Sequence, residues 1–182
     1  MKTLDSKANA TRKMIFKAAI KLLTDGNIQS LTLEAAAKEA GVSKGGLLYH
    51  FANKEELLQE LALHIFDDFS EMFYRFANDD SIEKGKWCRA YIRASDYDLK
   101  NNGLLDISLM SAALTSSAFV TTMSQSCQQM FEKMLDDGLD ATTASIIRLT
   151  IDGFYYGLHY NIPPLQDAVR EEVIGRLMKM TE

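Results

Sequence analysis

Apolar residues recur at helical spacing along almost the whole chain. Between residues 11 and 25 an apolar stripe at steps of three and four predicts a first helix, and Gly26 is its natural stop. A second stripe over 57–76 predicts a long fourth helix. The only two prolines, Pro163 and Pro164, are adjacent, and no alternating pattern with hairpin signals is visible. The chain is therefore predicted to be all-α, with about nine helices.

Two short helices are predicted between the first and the fourth. Thr32 is placed to cap a helix over 33–39, and Ser43 to cap another over 44–50. Asn53 and Glu56 resemble a capping box that opens the long helix. The apolar pattern breaks at residues 78–83, and further helices are predicted beyond it over 82–95, 104–114, 118–135, 140–159 and 165–180.

The stretch from Thr32 to Leu47 has the spacing of a helix-turn-helix. Small alanines occupy the first short helix where two helices would cross, and Gly41 supplies the turn. Gly45 and Gly46 then fall in the first turn of the second helix, although a glycine inside a helix costs about 1 kcal/mol relative to alanine. Because recognition helices enter the major groove through their N-terminal residues, a bare backbone there would let free N–H groups approach DNA phosphates.

The charge is divided unevenly along the chain. The whole sequence has a net charge of −5, yet residues 1–54 hold nine basic and four acidic side chains, and the remaining 128 residues hold 11 basic and 21 acidic ones. Such asymmetry indicates that the N-terminal part meets a polyanion.

The segment LTLEAAAKEAGVSKGGLLYHFANKEELL resembles the DNA-binding part of the TetR family of bacterial transcription regulators. The resemblance implies a helix-turn-helix domain over 1–54, and a helical effector-binding and dimerisation domain over 55–182, linked by the long fourth helix. It also implies contacts with double-stranded operator DNA by Thr32, Ser43, Lys44, Gly45, Gly46, Leu47, Tyr49, His50 and Lys54. From its apolar character, Leu47 is equally expected in the core, with Phe51. Gly46 and His50 depart from the commonest family pattern, so we expect specificity to depend on Lys44 and on DNA shape.

The C-terminal part offers candidates for a homodimer interface and for a ligand pocket. A stripe of shrinking side chains on the penultimate helix, with two residues of the last helix, predicts the interface: Ile146, Thr150, Gly153, Gly157, Val173 and Leu177. Packing of the two glycines inside one subunit is the alternative. Methionines and aromatic residues suit varied apolar ligands, and the pocket candidates are Trp87, Tyr91, Asp106, Met110, Met123, Cys127 and Tyr155. Asp106 or Asp152 would favour a cationic effector, although Arg148 is placed to pair with Asp152.

These features predict a dimeric repressor that is released from a palindromic operator by a small apolar or amphipathic molecule. An activator or ligand-independent regulator is the alternative, and a helical enzyme is a weaker one. No H-E-x-x-H, nucleophile-elbow or P-loop pattern occurs, and no metal or cofactor is predicted. The polar N-terminus, the lack of a long apolar run and the two separated cysteines predict a cytoplasmic protein without membrane association.

Overall fold

Eight α-helices follow one another in the computed structural model, which describes residues 2–26, 28–101, 109, 113 and 116–182. Among these residues there is no β-strand, so the predicted all-α class is confirmed. The helices are α1 (Lys2–Asp25), α2 (Leu33–Ala40), α3 (Lys44–Leu48), α4 (Lys54–Asn78), α5 (Lys86–Asn101), α6 (Ser117–Leu135), α7 (Ala141–His159) and α8 (Asp167–Lys179).

Helix boundaries differ from the predicted ones mainly at α1 and α5. Helix α1 begins nine residues earlier than predicted, at Lys2, because the apolar stripe used for the prediction begins only after the mostly polar residues before Thr11. Helix α5 begins at Lys86 rather than at residue 82 and continues to Asn101. The helix predicted over 104–114 lies outside the described residues, apart from Leu109 and Ala113.

The chain forms two compact units. Unit 1 contains the residues up to Ala62 together with the segment of Leu109 and Ala113, and unit 2 contains the rest of the chain. The division falls inside α4, whereas the sequence predicted a boundary between residues 54 and 55. Leu57 and Leu61 at the start of α4 are fully buried, so the first turns of this helix belong to unit 1.

Unit 1 is built around α1 and the three helices that follow it. Ile15, Leu31 and Phe51 are fully buried in its core. The guanidinium of Arg12 lies 4.9 Å from the ring centroid of Phe51 and donates to Glu60 at 2.8 Å. Arg12 therefore connects α1 to the end of α3 and to α4, by a cation–π contact and an ion pair.

Unit 2 is organised around the start of α5, whose first amides are capped from another part of the chain. The Asp137 carboxylate accepts from the amides of Trp87 at 3.1 Å and Cys88 at 2.7 Å. Burial, together with the nearby Asp137 charge, raises the pKa of the Cys88 thiol to about 12. This capping explains why α5 begins at residue 86, since capping by a distant aspartate satisfies the free N–H groups of a helix start.

A buried arginine holds the segment before α5 to the end of α8. Arg89 donates to Asp80 at 2.6 Å, to the Lys84 carbonyl at 2.9 Å and to the Thr181 carbonyl at 3.2 Å. The hydrogen bond from Arg89 holds the pKa of Asp80 below its ordinary value. A side chain at Gly85 would approach the Thr181 carbonyl to 2.6 Å, so the contact requires glycine there. No helix in the described part of the chain is both long and apolar enough to cross a bilayer.

Candidate functional site

The helix-turn-helix of unit 1 is formed by two capped helices and a glycine turn. The Thr32 hydroxyl accepts from the Ala35 amide at 3.1 Å, and the Ser43 hydroxyl accepts from the Gly46 amide at 3.0 Å. Gly41 adopts a φ of 68°, the left-handed conformation that glycine favours at a helix end. Both predicted caps and the predicted turn are confirmed.

The glycine pair at the start of α3 has a helical backbone and an open environment. Among the described residues, a side chain at Gly45 would have no heavy atom within 4 Å, and one at Gly46 would meet only the Ser43 hydroxyl, at 3.2 Å. Neither residue has the positive φ that requires glycine. Nothing within the described part of the chain therefore requires either glycine, and their presence favours close approach of another molecule to this backbone.

Polar and aromatic side chains surround the glycine pair. Tyr49 is 83% exposed, and the edge of its ring meets that of His50 at a centroid distance of 5.2 Å. The Lys44 ammonium forms an ion pair with the Glu34 carboxylate. The open glycines and their neighbours form what we call the α2–α3 surface: Thr32, Glu34, Ser43, Lys44, Gly45, Gly46, Tyr49 and His50.

Two residues predicted to contact DNA have other partners in the structure. Leu47 is fully buried in the core of unit 1, so the prediction that its side chain contacts DNA is wrong. The reason is the helical period, which turns Leu47 inward while Lys44 and Leu48 point outward. The Lys54 ammonium is partly buried and donates to the Ile28 carbonyl at 2.6 Å, which ties the start of α4 to the segment before α2.

In unit 2 a charged group lies among aromatic rings on α5, α6 and α7. The Tyr91 hydroxyl donates to Asp152 at 2.9 Å, and Arg148 pairs with the other oxygen of Asp152 at 3.4 Å. The predicted pairing of Arg148 with Asp152 is therefore confirmed. The guanidinium also lies 3.6 Å from the ring centroid of Phe131. We call Tyr91, Asp152, Arg148, Cys127 and Phe131 the Tyr91 cluster.

Burial keeps the Tyr91 hydroxyl and the Cys127 thiol of this cluster neutral, whereas Arg148 remains the cationic partner of Asp152. Burial and the Asp152 charge raise the pKa of the Tyr91 hydroxyl well above its ordinary value, and the same two causes raise the pKa of the Cys127 thiol. Tyr155, on the same helix as Asp152, donates to the buried Asp98 at 2.8 Å. Desolvation and the Asp98 charge raise its pKa as well. The Tyr91 cluster thus places neutral hydrogen-bonding atoms and the Arg148–Asp152 ion pair among aromatic rings, and Tyr155 contacts a second carboxylate, that of Asp98.

The predicted pocket residues do not all meet in one place. Tyr91 lies in the core of unit 2, and Cys127 and Tyr155 both pack against that core. The ring of Trp87 instead packs with Phe73 and Tyr74, at centroid distances of 5.4 and 5.8 Å. Met123 is partly exposed one turn before Cys127 on α6. Asp106 and Met110 lie outside the described residues.

A groove of about 690 Å³ runs along α7 and α8 in unit 2. Four of the residues predicted for a dimer interface line it: Thr150, Gly153, Gly157 and Val173. A side chain at either glycine would have no heavy atom of the described residues within 4 Å, so these glycines do not pack against that part of the chain. Exposed apolar residues flank the groove, including Leu149, Tyr156, Ile162, Leu165 and Val169.

The two remaining interface candidates differ in exposure. Ile146 is 44% exposed on α7, as an interface residue should be in an isolated chain. Leu177 is only 4% exposed because it packs into the core of unit 2, so its side chain is not available to a second copy.

Sequence reasoning missed the charged residues that pair across elements. It did not identify Glu34 as the partner of Lys44, nor Asp98 as the partner of Tyr155. The residues of these pairs are 10 and 57 positions apart, so no helical spacing connects them. Glu34, an acidic residue in the first turn after the predicted cap at Thr32, was the one signal available for the first pair. In the part of the chain that the structure describes, no three His, Cys, Asp or Glu side chains group as metal ligands.

Comparison with family models covers both units. The model described as bacterial regulatory proteins, tetR family, matches residues 15–61. The model described as tetracyclin repressor-like, C-terminal domain, matches residues 85–182.

Two curated relatives match this chain in sequence over about a third of its length. The chain is 32% identical over 63 residues to the HTH-type transcriptional regulator UidR of Escherichia coli K12. This match covers 35% of this chain and 32% of that protein. It is 35% identical over 54 residues to the HTH-type transcriptional regulator AcrR of Shigella flexneri, covering 30% of this chain and 25% of that protein. The matched segments therefore span a third or less of either curated relative.

Solved structures show the same fold over nearly the whole chain. The multidrug binding protein EbrR, in complex with ethidium, is 22% identical with a TM-score of 0.63, and the match covers 92% of this chain and 97% of that chain. At this level of identity the likeness concerns the fold.

Proposed function

Because this chain belongs to the tetR family of bacterial regulatory proteins, we propose that it binds a palindromic operator as a dimer, represses transcription and is released by a small molecule. Its activity is then binding rather than catalysis. The observation that carries the proposal is the open glycine pair at the start of α3, beside the exposed Lys44 and Tyr49.

DNA binding is supported by the chemistry of the α2–α3 surface. Exposed hydroxyl, ammonium and phenol groups at Ser43, Lys44 and Tyr49 are types of donor that contact phosphates and base edges. A helix without side chains at its first turn permits the backbone to lie close to the duplex. The positive balance of residues 1–54 would attract the DNA over a longer range.

The first experiment measures binding of the purified protein to the DNA upstream of its own gene, by mobility shift at two salt concentrations. We expect a complex that weakens steeply with salt, because neutralised phosphates release counterions. Lys44→Ala should weaken the complex about tenfold and make the salt dependence shallower by about one ion.

Lys21→Ala is the matched control for this experiment. Lys21 also pairs with a glutamate of α2, Glu39 at 2.5 Å, but it lies on α1 away from the glycine pair. It should bind DNA nearly as the wild type does. Equal losses in the two variants would argue for general charge and against a recognition helix. If no specific complex forms with upstream DNA or with duplexes selected from random sequence, the DNA-binding proposal is wrong.

Dimerisation is supported by the groove along α7 and α8. A palindromic site needs two recognition helices about 34 Å apart, which one chain cannot supply. The open glycines and flanking apolar residues of the groove would let a helix from a second copy approach closely.

An amphipathic effector is supported by the Tyr91 cluster. Its aromatic rings suit the apolar body of a ligand, and Asp152 with the Tyr91 hydroxyl suits a polar or cationic end. EbrR has been solved in complexes with ethidium and with malachite green, both organic cations with aromatic rings. We therefore propose this class of compound for the present chain.

The effector is tested with malachite green as the probe, by melting the protein with and without it. A ligand at one hundred times its Kd stabilises the folded state by ~2.7 kcal/mol, so the melting temperature should rise by several degrees. Tyr91→Phe should lose part of this rise. Tyr74→Phe, which changes a tyrosine that packs on the Trp87 ring, should keep it. A rise that is the same in both variants would place the ligand elsewhere. No rise would exclude this class of dye as the effector.

A further inference from the structure

The lysine expected to meet DNA is already bound to an anion of its own chain. The Lys44 ammonium pairs with the Glu34 carboxylate, and the residues lie ten positions apart on the two helices of the helix-turn-helix. The side chains are 58% and 62% exposed, so water can replace either partner. Exposed pairs of this kind are weak and exchange readily, and a phosphate can therefore compete with Glu34 for the ammonium.

The position of Glu34 keeps its carboxylate ionised. It is the second residue of α2, next to the free amides of the helix start, where negative charge is favoured. The hydrogen bond from Lys44 and that from its own backbone amide lower the pKa of Glu34 below its ordinary value. The negative charge is therefore present at neutral pH, on the surface that would face the DNA.

We propose that Glu34 limits the affinity for DNA by competing with the phosphates for Lys44. This inference rests on the proposed DNA binding. In the free protein the Glu34 carboxylate occupies the position on the Lys44 ammonium that a DNA phosphate would take. In the complex Lys44 exchanges Glu34 for DNA, which leaves Glu34 as an unpaired negative charge near the duplex. Lys44 is thereby assigned to a phosphate rather than to a base edge, in contrast to the expectation from sequence, so the affinity loss is the same for every DNA sequence.

Glu34→Gln tests the proposal, since it keeps the size and polarity of the side chain and removes the charge. We expect binding about three- to fivefold tighter, both for the operator and for an unrelated duplex, in mobility shifts at low salt. The gain should shrink as salt rises, because salt screens exposed charges.

Glu39→Gln is the matched control. Glu39 lies on the same helix and pairs with Lys21 at 2.5 Å, so its substitution removes the same charge and a comparable ion pair away from the glycine pair. It should change the affinity less than Glu34→Gln does. Equal gains in both variants would show that only net charge matters and would overturn the proposal.

A double variant shows whether Glu34 acts through Lys44. In a Lys44→Ala background, Glu34→Gln should gain clearly less affinity than in the wild type, because the competition has no lysine left to act on. An undiminished gain would overturn the proposal. Weaker operator binding by Glu34→Gln, with unrelated DNA unaffected, would make Glu34 a reader of a base and would also overturn it. If the wild type binds no duplex at all, the proposed function itself fails.

Discussion

Two pairs of glycines, one in each unit, occupy helices where nothing in the described chain requires them. Gly45 and Gly46 open α3, and Gly153 and Gly157 lie one turn apart on α7. All four have helical rather than left-handed backbones, and a side chain at Gly45, Gly153 or Gly157 would have no heavy atom within 4 Å in the described part of the chain. Each glycine costs its helix up to about 1 kcal/mol, so both places sacrifice stability for a bare surface.

The neighbours of the two pairs differ. Beside Gly45 lie an ion pair, hydroxyl caps and an exposed tyrosine, whereas the groove at Gly153 is lined mainly by apolar side chains, with Lys100, Asp167 and Arg170 among them. A polar border suits a charged partner whose water is only partly removed, and an apolar border suits a surface that is buried completely. The same backbone feature therefore fits DNA in unit 1 and a second protein copy in unit 2.

The largest expected effect is on the α7 pair. Gly157→Glu should raise the helix propensity of α7 and leave the isolated fold stable, because the new side chain has open space. It should also prevent close approach of a second copy. We expect sedimentation to show a monomer, and binding to a palindromic duplex to fall at least about a hundredfold, since the two half-sites would no longer be bound together.

Gly175→Glu is the control for this substitution. Gly175 is also an open helical glycine, on α8, but it does not line the groove. The Gly175→Glu variant should remain a dimer. Dimers in both variants would disprove an interface at the α7 groove.

A smaller effect is expected at the α3 pair. Gly45→Ala adds one methyl group into open space, so the free energy of unfolding should be unchanged or higher by up to about 1 kcal/mol. Affinity for DNA should nevertheless fall about tenfold, because the methyl group holds the backbone away from the duplex. Urea unfolding and mobility shifts measure the two quantities, and Gly175→Ala should show the stability gain alone. If Gly45→Ala leaves the DNA affinity unchanged, the α3 glycines do not lie in the surface that contacts DNA.

Local features of unit 1 were predictable from the sequence because they depend on neighbours within a few positions. Thr32, Gly41 and Ser43 act as caps and turn as predicted, and the Asn53 side chain accepts from the Glu56 amide at 2.8 Å. The capping box is slightly displaced, since Glu56 reaches the amide of Ala52 rather than that of Asn53. Apolar character predicted the buried Phe51, and it also placed Leu47 inside, against the resemblance-based contact with DNA.

Features that join distant segments were not predictable in the same way. Asp137 caps α5 across about 50 residues, and the Trp87 ring joins Tyr74 instead of the Tyr91 cluster. Leu177 has the spacing of an interface residue, yet the packing of α8 turns it into the core. Such choices depend on which helix lies opposite, and a single helix pattern carries no information on that.

The contact between Arg89 and Thr181 has a consequence for the timing of folding. The two residues are 92 positions apart. A ribosome adds roughly 5 to 20 residues each second, so Arg89 is synthesised about 5 to 20 s before its partner. During that interval the arginine has no carbonyl at this position, and the junction between the start of α5 and the end of α8 cannot close. Unit 2 therefore completes its fold late, after α2 and α3 have both been made.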